Sequence, residues 1–115
     1  MAFTATQYLF KASALTSTTT ATVGSYNVPA STRGMVVAVT VANTSTGNAM
    51  NYVDLALFDG SVAYNIGGSK MPVYPGGSVI VAGVEKHVLP TGGSVRATAY
   101  ATTGLDVVAT IVEIT

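Results

Sequence analysis

The sequence predicts an all-β protein, an antiparallel β-sandwich or jelly-roll-like domain of about eight strands. Val, Thr, Ile and Tyr fill the interiors of its segments, while Gly, Pro, Asn and Ser cluster between them, which is the composition of strands joined by turns. Helix signals are missing. Nowhere do Leu, Glu, Lys, Arg and Gln recur at helical spacing over three turns, and the few charged residues never pair four apart on an apolar-periodic segment. Apolar runs recur along the whole chain at the spacing of a sandwich or barrel.

In chain order, the first strand spans Gln7 to Ala14, and the Ser/Thr-rich stretch from Ser13 to Thr22 connects it to a second at Thr20 to Asn27. Val28-Pro29-Ala30-Ser31-Thr32-Arg33-Gly34 reverses the chain, because Pro presets the turn and Gly tolerates positive φ. The third strand, Met35 to Ala42, alternates Met35, Val37, Val39 and Val41 on one face with Val36, Ala38, Thr40 and Ala42 on the other. The polar run Asn43 to Asn48 forms an exposed loop. Tyr52 to Phe58 and Val62 to Ile66 form a hairpin around Asp59-Gly60, a turn dipeptide. Tyr74-Pro75-Gly76-Gly77 leads into Ser78 to Lys86, and Leu89-Pro90-Thr91-Gly92-Gly93 into Ser94 to Ala101. The last strand, Leu105 to Ile114, points Leu105, Val107, Ala109, Ile111 and Glu113 one way and Asp106, Val108, Thr110, Val112 and Ile114 the other. Neither face of it is simply polar, so both faces are expected to be covered, one of them by another copy.

The 115 residues form one domain, 1–115, with residues 1–12 an arm or a swapped strand. Charged residues make up 9% of the chain, against about 25% in a typical soluble domain, and the net charge is zero. No electrostatic footprint exists for a polyanion, so nucleic acid is not an expected partner. Cysteine is absent, which removes disulfides, thiol nucleophiles and Cys-ligated zinc. Mean hydropathy is +0.49. The longest apolar stretches, such as Met35 to Val39 or Val107 to Val112, nevertheless fall far short of the ~18 residues of a spanning helix, and no membrane partner is expected. Met1 to Thr6 lacks the basic start and apolar centre of a secretory signal, so synthesis in a cytoplasm is expected and Asn43-Thr44-Ser45 is not a glycosylation site.

Chemistry is sparse. Asp54, Asp59, Glu85, Asp106 and Glu113 form no acid/base motif, and a glycosidase pair of Glu85 with Glu113 has only their strand positions in its favour. His87 has no activated Ser or Thr and no ligand spacing around it, which makes it an exposed strand-end residue rather than a base or a metal ligand. The Gly-Gly turns precede no helix and no Lys-Ser/Thr, so they are not phosphate cradles. No enzyme activity, cofactor or metal is expected. Of the aromatics, Phe3, Tyr8, Phe10, Tyr74 and Tyr100 are the candidates for an assembly interface, since tyrosines with an apolar body and a polar tip suit subunit contacts. A Tyr-lined face holding a sugar is the alternative use of the same residues.

The segment Val84 to Ala97, containing Leu89-Pro90-Thr91-Gly92-Gly93-Ser94, and the terminal run Asp106 to Ile114 resemble small virion proteins of tailed bacteriophages. Tyr26-Asn27-Val28-Pro29 followed by Met35 to Asn43 is similar to an earlier strand pair of those proteins, although they often carry Gly-Asp where this chain has Gly92-Gly93. The resemblance implies a sandwich present in many copies on a phage particle. The form it implies first is a capsid decoration (cement) protein, which binds the outside of the head shell, contacts the major capsid protein and bridges neighbouring shell subunits. A head-tail connector, neck or tail accessory protein is the alternative, and a tail-associated carbohydrate-binding module a further one. Low charge and unpaired strand edges independently lead to the expectation of a homo-oligomer, and the resemblance implies the form of a trimer at local threefold positions.

Overall fold

A computed structural model describes residues 6–45, 49–102 and 104–114. The strands among them are β1 (Thr6–Leu15), β2 (Ala21–Thr22), β3 (Arg33–Asn43), β4 (Asn51–Phe58), β5 (Ala63–Val73), β6 (Ser78–Ile80), β7 (Val88–Leu89), β8 (Ser94–Ala99) and β9 (Leu105–Ile114). They form two antiparallel sheets. Sheet I has the order β1-β9-β3-β6, with β7 also on β3, and sheet II the order β2-β8-β4-β5. The pairs are nested: β1 with β9, β2 with β8, β3 with β6, and β4 with β5. A long double ribbon folded over on itself gives this connectivity, which is the jelly-roll form of the β-sandwich.

Burial follows the alternation that a sandwich requires. From sheet I, Val36, Val39 and Val41 of β3 and Leu105, Val107, Ala109 and Ile111 of β9 are buried; facing them from sheet II are Val53, Leu55 and Leu57 of β4 and Val95, Ala97 and Ala99 of β8. Each fully buried Val, Leu or Ile contributes roughly 1.5–3 kcal/mol relative to an exposed one. The polar groups inside are partnered. Buried Asn43 donates through Nδ2 to the Ala49 and Val73 carbonyls at 3.2 and 3.0 Å, and its Oδ1 accepts from the Ser45 N–H at 3.0 Å. Asn51 exchanges hydrogen bonds with the backbone of Ala101 at 3.1 Å in both directions, so one side chain continues the ladder where β8 has ended.

Several elements depart from the sequence reading. Between Thr20 and Asn27 only Ala21–Thr22 is a strand, because Gly24 at φ 64° and Ser25 at φ 51° turn the chain through a 3₁₀ segment at Val23–Ser25. The segment Ser78 to Lys86 is a strand only to Ile80; Gly83 at φ 90° and Lys86 at φ 70° end it in consecutive turns before β7. The expected strand Val62 to Ile66 instead runs to Val73 as β5. Alternation in β3 breaks at Val37, where the register against β9 shifts between Val36 and Ala38. That bulge turns Val36 inward with Val39 and Val41, rather than opposite to them.

Gly67 of β5 marks the closest approach within the core, since a methyl group there would lie 2.9 Å from both Leu55 Cβ and Val81 Cγ1. Gly67→Ala is expected to cost about 1–3 kcal/mol by overpacking, read from the urea midpoint. Asp59 does turn the β4–β5 hairpin, its Oδ1 accepting the Ser61 and Val62 N–H groups at 2.8 Å each. These two bonds, that of Val62 first, hold its carboxyl below the usual aspartate value. The stabilisation is therefore fully present above the ordinary value of about 3.9 and is lost as pH falls through the lowered one. Asp59→Asn is expected to flatten the acid limb of the stability profile, measured as urea midpoints between about pH 5 and about pH 2.

Candidate functional site

Two faces of the sandwich look outward, and the sequence builds them differently. On the outer face of sheet I the register aligns Tyr8, Val112, Met35 and Val88 in one row across β1, β9, β3 and β7. Near the other end of the same strands it aligns Ala14, Asp106, Ala42 and Ser78. Phe10, Ala12, Thr110, Val108, Thr40 and Ile80 lie between these rows. Along β1, β9 and β3 large side chains thus crowd one end and small ones the other, with Ile80 of β6 the exception beside Thr40. Tyr8, Phe10 and Ile80 are exposed at 72%, 73% and 77%, the wrong sign for isolated apolar groups in water and the right one for a contact surface. At the small end, Ala12, Ala14, Asp106 and Val108, with Ser13 and Val107, line a depression of about 310 Å³.

The outer face of sheet II carries polar and aromatic groups already locked to one another. Between Val53 and Leu55 the β4–β5 register shifts, and β5 swings Lys70 at φ 51° towards Asp54. Asp54 Oδ1 accepts the Lys70 N–H at 2.6 Å and the Tyr100 hydroxyl at 2.8 Å. Tyr52 and Tyr100 meet edge to face at 6.3 Å, with the Lys70 ammonium 5.5 and 6.0 Å from their ring centres. Neither ring offers the open coplanar platform that stacks a sugar. Arg96 lies 3.5 Å over the Phe58 ring, a cation–π contact on the same face.

The aromatics expected at an interface are placed apart. Tyr8 and Phe10 stand together on β1, Tyr74 is exposed in the turn between β5 and β6, and Tyr100 is on the opposite sheet in its bond to Asp54. Phe3 lies outside the described residues. The sequence reading missed the depression beside Tyr8 and Phe10, although the two-residue spacing of Tyr8, Phe10, Ala12 and Ala14 already set all four on one face. It also missed the Asp54–Lys70 bond, which depends on a bulge.

Among the described residues the remaining titratable groups stand apart from one another or in structural contacts. Glu113 Oε2 accepts the Tyr26 hydroxyl, and Lys11 sits 5.0 Å over the Tyr26 ring; burial first, and that bond second, raise the Tyr26 phenol well above the tyrosine range. Glu85 and His87 are exposed in the connection before β7. Among the described residues no three His, Cys, Asp or Glu side chains gather to hold a metal ion, and no helix is long and apolar enough to cross a membrane. The chain matches no family model, no curated protein and no solved structure.

The Asp54 bond raises the Tyr100 phenol, with desolvation a smaller cause. Asp54→Ala is expected to bring the Tyr100 ionisation back towards the ordinary tyrosine value of about 10, followed by ultraviolet difference titration against a Tyr100→Phe control.

Proposed function

We propose that the chain is a non-enzymatic structural protein of a phage virion, acting as a capsid decoration protein. It binds the outside of the head shell, contacts the major capsid protein and bridges neighbouring subunits, as a homo-oligomer for which the resemblance favours a trimer. The observation that carries this reading is the outer face of sheet I, an almost uncharged sheet surface with exposed Tyr8, Phe10 and Ile80. Such a surface suits continuous burial against other protein better than life in solvent. The jelly roll supports the reading as an analogy, since viral shell proteins, lectins and cupins all use it and the fold alone assigns no function. A neck or tail accessory position uses the same kind of surface and is the second reading.

Particles from a host that carries this sequence test the proposal. The protein is expected to co-sediment with separated heads in many copies, and heads lacking it are expected to rupture at lower temperature. Recovery only with tails or necks moves the chain to the second reading. Absence from particles overturns both.

A further inference from the structure

Along β1, β9 and β3 the outer face of sheet I is graded in both size and charge, while Ile80 of β6 stands outside this gradient in the Ala12–Val108–Thr40 row. Its Arg33–Ile114 end carries Tyr8, Phe10, Met35 and Val88, with Arg33 exposed on the same side as Met35. Its opposite end carries Ala12, Ala14 and Ala42 around the exposed Asp106 and contains the depression. Tyr8 and Ala14 are separated by roughly 20 Å along β1, at about 3.3 Å per residue.

We propose that this face docks a second copy of the same chain across a two-fold axis, seating Tyr8 and Phe10 of each copy in the Ala12/Ala14/Asp106/Val108 depression of the other. The inference rests on the reading of the chain as an assembly protein, puts a pair in place of the trimer that the resemblance favours, and supplies the partner of that face. A two-fold axis lying in the interface and perpendicular to the strands reverses the strand direction of one copy relative to the other, so the large end of each lies over the small end of its mate. The same reversal brings each Arg33 towards a partner carboxylate, Asp106, whereas a parallel arrangement sets like charge on like charge and bulk on bulk. At about 310 Å³ the depression is on the scale of small-ligand pockets and has room for an aromatic ring. Asp106 at its wall is an acceptor for a tyrosine hydroxyl, so the polar tip of Tyr8 finds a partner where its ring is buried. The area is sufficient. The long strands β1, β9 and β3, about ten residues each and spaced about 4.8 Å apart, give with the short β6 and β7 roughly 500 Å² in projection per copy, which reaches the ~1,000 Å² total of a specific interface.

The test is the solution mass by light scattering from micromolar to millimolar concentration, on the wild type and on charge exchanges. The wild type is expected to run as a pair at high concentration. Asp106→Arg alone and Arg33→Asp alone are each expected to raise the dissociation constant by about tenfold or more, because each sets like charges together. The double exchange is expected to recover the pair, and Ala14→Phe, which fills the depression, to abolish it. Near-ultraviolet circular dichroism and urea midpoints identify any variant that has unfolded, and Thr98→Lys on sheet II serves as the control that leaves the mass unchanged. A wild type that stays monomeric overturns the proposal, as does a trimeric mass indifferent to these changes or a double exchange that fails to recover. Head co-sedimentation separates the two readings: a monomer that still decorates heads removes the pairing alone, and a pair that leaves heads bare removes the decoration role alone.

Discussion

Sheet I hangs on β9. This strand pairs residue for residue with β1 along its whole length and with β3 on its other side, so it joins segments that are otherwise unconnected. Its inward side chains, Leu105, Val107, Ala109 and Ile111, are all buried and form the middle of the core. A central strand must be acceptable on both faces, which explains why its outward residues along the middle are Val108, Thr110 and Val112, with a charge, Asp106, only near its start. The apolar outer surface of the sheet is thus partly a consequence of having a β-branched strand at its centre.

The two faces resolve the problem of a weakly charged surface in different ways. Sheet II satisfies its few ionisable groups internally: Asp54 takes two donors, Lys70 covers two rings, and Arg96 covers a third. Sheet I leaves Tyr8, Phe10 and Ile80 without cover, the two aromatic rings together towards one end of β1. Their edges differ as well. β5 departs from a regular strand through two register shifts and contains Gly67, Gly68 and Pro72, features that discourage further pairing, whereas β1 keeps a continuous register beside Tyr8 and Phe10. Interaction capacity is therefore concentrated on one side of the molecule.

Much of this was legible before any coordinates. Residue type alone separated strand from turn, and Asp59-Gly60 and the Pro-Gly reversals fell where chain geometry demands them. Two of the misread strands shared one cause: Gly24 and Gly83 sit inside segments of strand-forming residues, and their positive φ outweighs the β preference of the adjacent Val23 and Val84. The Val37 bulge left no trace, because Val36 to Val39 are all apolar and any one of them fits the core. Of the candidate surface, Tyr8 and Phe10 were legible from exposure arguments; the depression beside them needed the register of β1 on β9. Asp54 and Lys70 are 16 positions apart and meet where the β4–β5 register shifts between Val53 and Leu55.

The nested pairing also fixes the order in which the protein can be made. β1 is the first of the described strands to be synthesised, yet its neighbour in the sheet is the last, so a growing chain holds Tyr8, Phe10 and the valines of β3 with no central strand between them. Folding of sheet I must wait until β9 has left the ribosome, and long-range pairing of this kind is slow. During that interval the unfinished chain presents its stickiest segments to a crowded polysome, where neighbouring nascent copies carry the same segments. Translation rate and chaperone supply thereby become part of what determines the yield of folded protein.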